Sequence, residues 1–249
     1  MEVLTPKIKK GIVLPEKIGD VIICLPIAKH FYDLGYELYW PICNKLISNF
    51  KSYVDYVNFI PLYSNDKINE SFTILKGLEC EILDLSFNSS GSWNNENTKK
   101  YKNQMEKSFD EFRYDLANVD FNKKWDLKFR RNVQKEEELY KKLINKEKYA
   151  VIQKHSSDCV IKTEINYNGY DGQILEIKPY TESVLDWITI LEKADRICII
   201  ESCFNNLIDQ LNIKNNKQIL LLKHGYYGEQ LKDGRFKGVP VLRNNWTRI

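Results

Sequence analysis

Short apolar strands alternate with helical patterns along this chain, and the alternation runs twice. In the first half, 11–14 (GIVL) reads as a buried strand and 21–32 as a helix apolar on most of its faces. A second strand follows at 37–42 (ELYWPI), a short helix near 45–50, and a third strand at 56–61. A helix at 70–78 and a fourth strand at 80–85 (CEILDL) complete the series. Strands separated by helices return in the same direction, so this order specifies a parallel sheet with helices on its faces. The pattern restarts with strands at 149–154 (YAVIQK) and 173–177, a helix at 183–194 and a strand at 195–200 (DRICII). A helix at 203–211, a strand at 218–223 and a last strand at 239–242 follow. The expected class is α/β, with two Rossmann-like domains at 1–130 and 148–249.

Between the two series the pattern is lost. Residues 87–105 cluster Gly, Ser and Asn and read as a loop, a length that is usually functional or mobile. The segment NVQKEEELYKKLINKEK, 132–148, is a charged helix in which Glu136 or Glu137 lies near Lys141. It is the expected linker, assigned to 131–147.

With 249 residues the chain can bury a sizeable core, and 43% hydrophobic with 29% charged residues fits a soluble globular protein. The formal net charge of only +3 gives no general affinity for polyanions, so no nucleic-acid partner is expected. Lys123-Lys124 with Arg130-Arg131 reads as a solvated basic face. The six cysteines, Cys24, Cys43, Cys80, Cys159, Cys198 and Cys203, form no CxxC pair and have no histidine at ligand spacing. They read as reduced thiols rather than a disulfide frame or a zinc site. No apolar run reaches membrane-spanning length, and the opening MEVLTPKIKK lacks the apolar core of a leader. A cytoplasmic location is expected.

In open parallel sheets ligands sit beyond the carboxyl ends of strands, where helix N-termini point their amides outward. Three places satisfy that rule. The first is 16–20, with Lys17, Gly19 and Asp20 at the mouth of the first helix. The second is KHSSD at 154–158, with Lys154 and His155. The third is Glu201-Ser202-Cys203, at the start of the helix FNNLIDQL. Together they suit a two-domain enzyme that handles a phosphate-bearing substrate. Ser202 and the amides after it would hold a pyrophosphate, Glu201 would bind sugar hydroxyls, and Lys154 or His155 would neutralise a leaving group. Asp20 would take a proton from an attacking hydroxyl. Each residue also has a structural reading. Asp20 and Ser202 are good helix N-caps, worth about 1 kcal/mol each. Glu201 suits a solvated carboxylate and His155 a loop histidine, while His30 and His224 read as structural. Aromatic residues between 93 and 125 suit packing better than sugar stacking.

The stretch GIVLPEKIGDVIICLPIAKHF resembles the opening of the heptosyltransferase family (glycosyltransferase family 9). EILDLSFNSSG and SVLDWITILEKADRICIIESCFNNLIDQL resemble later segments of that family, in the same order. The resemblance implies a GT-B fold, two Rossmann-like domains facing across a cleft, with the acceptor on the first and a nucleotide-sugar on the second. It implies an inverting, metal-independent glycosyltransferase of hexosyl or heptosyl type without a cofactor, with Asp20 as general base. The acceptor would be a glycan or a lipid-linked saccharide, which leaves peripheral membrane association open. The family's donor turn maps onto Glu201-Ser202-Cys203, with Cys203 where the family has glycine and Asn206 where it has histidine. No D-x-D is present. Glu201 and Asp209 have an E-x7-D spacing loosely like that of retaining enzymes, so the stereochemical outcome stays open. Two other readings stand beside this one. The first is a non-catalytic nucleotide- or glycan-binding module. The second, another nucleotide-binding enzyme such as an epimerase, is opposed by the absence of GxGxxG after the first strand.

Overall fold

The computed structural model describes residues 7–86, 96–102, 104, 107–157, 159–161, 169–222 and 240–249. The chain divides into two compact units, Met1–Arg130 and Arg131–Ile249. The expected polar loop at 87–105 falls largely outside the described residues, as do Trp93, Asp158 and His224.

The first unit contains β1 (Lys9–Val13), α1 (Ile18–Asp33), β2 (Glu37–Cys43), α2 (Ile47–Phe50), β3 (Asn58–Leu62), α3 (Lys67–Gly77) and β4 (Glu81–Asp84). α4 (Glu96–Lys102) and α5 (Phe109–Ala117) follow, then a 3-10 turn at Phe121–Trp125. Its four strands are all parallel in the order β3-β2-β1-β4. β1 therefore lies inside the sheet and is buried from Gly11 onward. α3 packs so closely on β1 that a Cβ at Gly11 would come within 2.6 Å of the Leu75 side chain. Eight successive residues of α1, Val21 to Ala28, are buried. A helix apolar all round needs cover on every side, and the Tyr114 hydroxyl of α5 donates to the Ile23 carbonyl at 3.0 Å. Just past the end of α1 and its C-cap Leu34, Gly35 turns the chain back with a φ of +93°. The Gly35 amide donates to Tyr32 and the Tyr36 amide to Phe31, while the Phe31 and Tyr36 rings pack together.

The second unit contains α6 (Val133–Leu143), β5 (Tyr149–Gln153), β6 (Gln173–Glu176), α7 (Ile188–Lys193), β7 (Arg196–Ile200), α8 (Cys203–Gln210), β8 (Lys217–Leu221) and β9 (Thr247–Arg248). The sheet order is β6-β5-β7-β8-β9, again parallel throughout. Pro240 to Leu242, expected as part of the last strand, is not a strand; Thr247–Arg248 takes that edge instead. Asp209 explains why. Its carboxylate accepts the Arg243 amide at 2.6 Å, the Asn244 amide at 2.7 Å and the Trp246 indole N–H at 3.2 Å. These bonds clamp 243–246 onto α8 and deliver the chain to the edge of β8. Asp209 is 1% exposed, so the E-x7-D spacing reflects a fold clamp.

Two expectations about charged residues are corrected by burial. Lys124 is no part of a solvated face: its side chain is 1% exposed and sits 2.5 Å from the fully buried Asp110. The helix expected to carry Glu136 or Glu137 beside Lys141 instead buries Glu136, which accepts from Arg131 and from the Thr189 hydroxyl at 2.8 Å. Glu137 pairs with Lys193 at 3.2 Å. All six cysteines are free, and burial pushes the Cys24 thiol up to about 12. No helix among the described residues is long and apolar enough to cross a membrane.

Candidate functional site

In the first unit, β1 runs into a loop that its neighbours hold in place. The Trp40 indole donates to the Leu14 carbonyl at 3.1 Å, and the Cys43 amide donates to the Pro15 carbonyl at 2.8 Å. Glu16 pairs with Lys67 of α3 at 3.2 Å. Lys17, exposed at the tip, has a φ of +67° and ψ of 117°. A non-glycine residue with positive φ is uncommon, and such strain collects at functional loops. Gly19 is half-buried in the first helical turn.

α1 begins at Ile18, earlier than the sequence pattern suggests, and Lys17 occupies the cap position without a side-chain cap bond. Asp20 is therefore the third residue of the helix and not its N-cap. A carboxylate in the first turn is favoured by the helix dipole, but its specific partner is Arg113 of α5. Arg113 Nη2 donates to Asp20 Oδ2 at 3.0 Å, and Nη1 lies 3.0 Å from Oδ1. The side chain of Arg113 is 4% exposed and that of Asp20 is 23% exposed, so the carboxylate still faces solvent on one side. Burial by itself would lower the guanidinium's pKa, yet the nearby Asp20, Cys24 and Asp110 hold it above its ordinary value.

One strand over, Asp84 closes β4 in register with Val13. It accepts the Ser86 amide at 2.9 Å and the Ser86 hydroxyl at 2.6 Å. Burial raises its pKa against the pull of those bonds. The carboxyl edge of this sheet thus carries Asp20 and Asp84, besides the Lys67-paired Glu16. Neither Asp84 nor Arg113 stands out from sequence motifs alone. Asp84 has one usable signal, a carboxylate ending an apolar strand. Arg113 has another, a charge four residues after Phe109 and next to Phe112 on the buried face of its helix.

In the second unit, β7 ends at Ile200 and α8 starts at Cys203. Ser202 is the N-cap: its Oγ accepts the Phe204 amide at 3.2 Å and takes part in a capping box with Asn205, whose side chain accepts the Ser202 amide at 2.6 Å. The Ser202 hydroxyl also donates to Gln153 Oε1 at the end of β5, at 2.7 Å. Glu201 and Asn206 are each 8% exposed, and Cys203 is half-buried at the first helical position. Gln153 Nε2 donates to the His155 carbonyl at 2.9 Å, tying the turn after β5 to the same corner. Lys154 is half-buried there. The His155 side chain is 62% exposed, with Nε2 3.7 Å from Glu176. The structure therefore gathers Lys17, Gly19 and Asp20 at one sheet edge, and Lys154, His155, Glu201, Ser202, Cys203 and Asn206 at the strand ends of the other unit. Among the described residues no cluster of three or more His, Cys, Asp or Glu side chains is arranged to hold a metal ion.

No family model matches the chain, and no curated protein matches it in sequence. Among solved structures, the chain is similar to the crystal structure of the bacterial iron-containing dodecameric glycosyltransferase TibC from enterotoxigenic E. coli H10407, at 10% identity with a TM-score of 0.49. That alignment covers 88% of this chain and 59% of the TibC chain, so the chain spans less than two thirds of its length.

Proposed function

We propose that this protein is a glycosyltransferase that moves a sugar from a nucleotide-sugar donor to a hydroxyl of a glycan or lipid-linked saccharide. The observation that carries the reading is Asp20. A partly exposed carboxylate stands at the carboxyl end of an interior parallel strand, held by a buried guanidinium 93 residues away. Helix capping does not account for it, because the cap position belongs to Lys17. In the proposed reaction the acceptor hydroxyl attacks the anomeric carbon of the donor. The bond from that carbon to the phosphate oxygen breaks, and the nucleoside diphosphate leaves with the bonding electrons. Asp20 takes the hydroxyl proton through its exposed lone pairs, a role that needs only hydrogen-bond reach to the nucleophile. A single displacement inverts the anomeric centre.

The acceptor side is assigned to 1–130 and the donor side to 148–249, joined by 131–147. Glu201 would bind the sugar hydroxyls, and Ser202, Cys203 and Asn206 would line the donor turn. Lys154 and His155 would offset charge on the departing phosphates. A cytoplasmic location and a metal-independent mechanism belong to the same proposal.

One observation favours a second reading, a non-catalytic nucleotide- or glycan-binding module. The donor turn spends its polar groups on itself: the Ser202 hydroxyl bonds Gln153 and the Phe204 amide, and Asn205 closes the capping box. One experiment separates the two readings. The purified chain is incubated with ADP-, GDP-, UDP-, CMP- and dTDP-sugars, and thermal shift and nucleotide release are recorded together. The transferase reading expects one donor to stabilise the fold by several degrees and to be turned over, with turnover nearly abolished in Asp20→Asn while the shift remains. Binding without turnover supports the module, and equal turnover by Asp20→Asn overturns the role of Asp20.

A further inference from the structure

We infer that Arg113 is the positioning residue of the Asp20 carboxylate, and that the segment from Ser108 to Trp125 is built to hold it. This inference rests on the transferase reading above. Arg113 reaches Asp20 with two nitrogens, Nη2 on Oδ2 and Nη1 on Oδ1, each at 3.0 Å. Nη2 makes the directed hydrogen bond and Nη1 adds an ion-pair contact outside hydrogen-bond geometry, so the guanidinium spans both carboxylate oxygens at once, which a single ammonium cannot do.

The guanidinium is itself held from several directions. Its helix is fixed at the N-terminus by Ser108, which forms a capping box with Glu111. The Tyr114 hydroxyl binds the Ile23 carbonyl, three residues beyond Asp20 on α1, so α5 and α1 are pinned beside the pair. Arg113 lies 5.2 Å from the Phe109 ring centre. Its charge is supported by the nearby Asp110 carboxylate, and Asp110 is held in turn by the Ser108 hydroxyl and by Lys124, each at 2.5 Å. The Lys124 ammonium sits 4.7 Å from the Trp125 ring centre. Burying two cations and a carboxylate is costly unless they are paired. A surface carboxylate that only needed to favour a helix dipole would not require a buried counter-ion of this construction. The arrangement leaves Asp20 the one member of the series with a side chain substantially open to solvent.

The test uses the full chain and two readouts, one of which needs no substrate. Three-bond couplings about χ1 of Asp20 are measured by NMR in the wild type and in Arg113→Lys. One rotamer is expected in the wild type and averaging over staggered rotamers in the variant. A single fixed rotamer in a folded Arg113→Lys overturns the inference. If Arg113→Lys does not fold, the Nη resonances of Arg113 decide it. Rotation of the guanidinium should be hindered in the wild type and released in Asp20→Asn; free rotation in the wild type overturns the inference.

The second readout is turnover of the nucleotide-sugar that the panel above identifies. Arg113→Lys is expected to lower kcat about a hundredfold, the cost of a carboxylate displaced by about 1 Å, with donor KM changed less than twofold. The double variant Asp20→Asn/Arg113→Lys should be no slower than Asp20→Asn alone. A further loss in the double variant shows that Arg113 acts independently of Asp20, and overturns the inference. If the wild type turns over no donor, the transferase reading fails while the NMR couplings still decide whether Arg113 positions Asp20.

Discussion

Replacing Lys124 by Met removes the cation from a pair that has no access to water. The Asp110 side chain is 0% exposed and Lys124 is 1% exposed, with Nζ 2.5 Å from Oδ2. Methionine fills much of the same volume against Phe121 and Trp125, so the packing loss is small. The electrostatic loss is not. Asp110 keeps the Ser108 hydroxyl, but the other nearby cation, Arg113, is engaged with Asp20. Breaking a buried pair by removing one partner costs about 3–5 kcal/mol. Residual support from Arg113 places Lys124→Met at the lower end, about 3 kcal/mol. At roughly 1.4 kcal/mol per factor of ten, that corresponds to about a hundredfold faster exchange of amides that open only when the first unit unfolds. Hydrogen exchange read by mass spectrometry resolves this by segment. Peptides of α1 and α5 should lose protection by that factor, and those of β5 and β7 should not change. Restoring neutrality with Asp110→Asn/Lys124→Met should recover about 2 kcal/mol, since the amide oxygen still accepts from Ser108 and neither member of the pair is left as an unpaired buried charge. Unchanged exchange in Lys124→Met, or a double variant no more stable than the single, would refute the reasoning.

Three further outcomes are expected. Gly11→Ala places a methyl within 2.6 Å of the Leu75 side chain, whose residue is fully buried; it should cost about 1–3 kcal/mol in urea melts, and adding Leu75→Val should restore part of the loss. Asp84 carries a raised pKa because of burial, so its proton is held more tightly in the folded state, and its ionisation destabilises as pH rises from the ordinary value of 3.8 through the folded-state value. Asp84→Asn should therefore match the wild type below pH 3.8 and become the more stable protein toward neutral pH, as followed by thermal melts across that range; the reverse order would remove burial as the cause. Asp209→Ala leaves the Arg243 amide, the buried Asn244 amide and the Trp246 indole short of their acceptor. It should cost about 3 kcal/mol or more and shift the Trp246 fluorescence to the red in the folded protein.

The amino-acid sequence is enough to specify the alternation of strands and helices, because those signals are local. Apolar runs such as 11–14 and 195–200 and the apolar run of α1 depend on residues within a turn or two of each other. That is why two parallel sheets with helices between their strands are legible in the amino-acid sequence. The strand ends around Asp20 and Ser202 were legible for the same reason. The identity of the partners was not. Arg113 reaches Asp20 across 93 residues and Glu136 reaches Thr189 across 53. Lys124 looks like a surface lysine until Asp110, 14 residues away, is seen buried beside it. Asp209 looks like part of a motif until three donors from 243–246 close on it. Charge makes a residue look exposed in a sequence, because leaving water is costly unless a partner compensates. Only the tertiary structure supplies the partner, and with it the difference between a capping carboxylate and one held by a buried guanidinium.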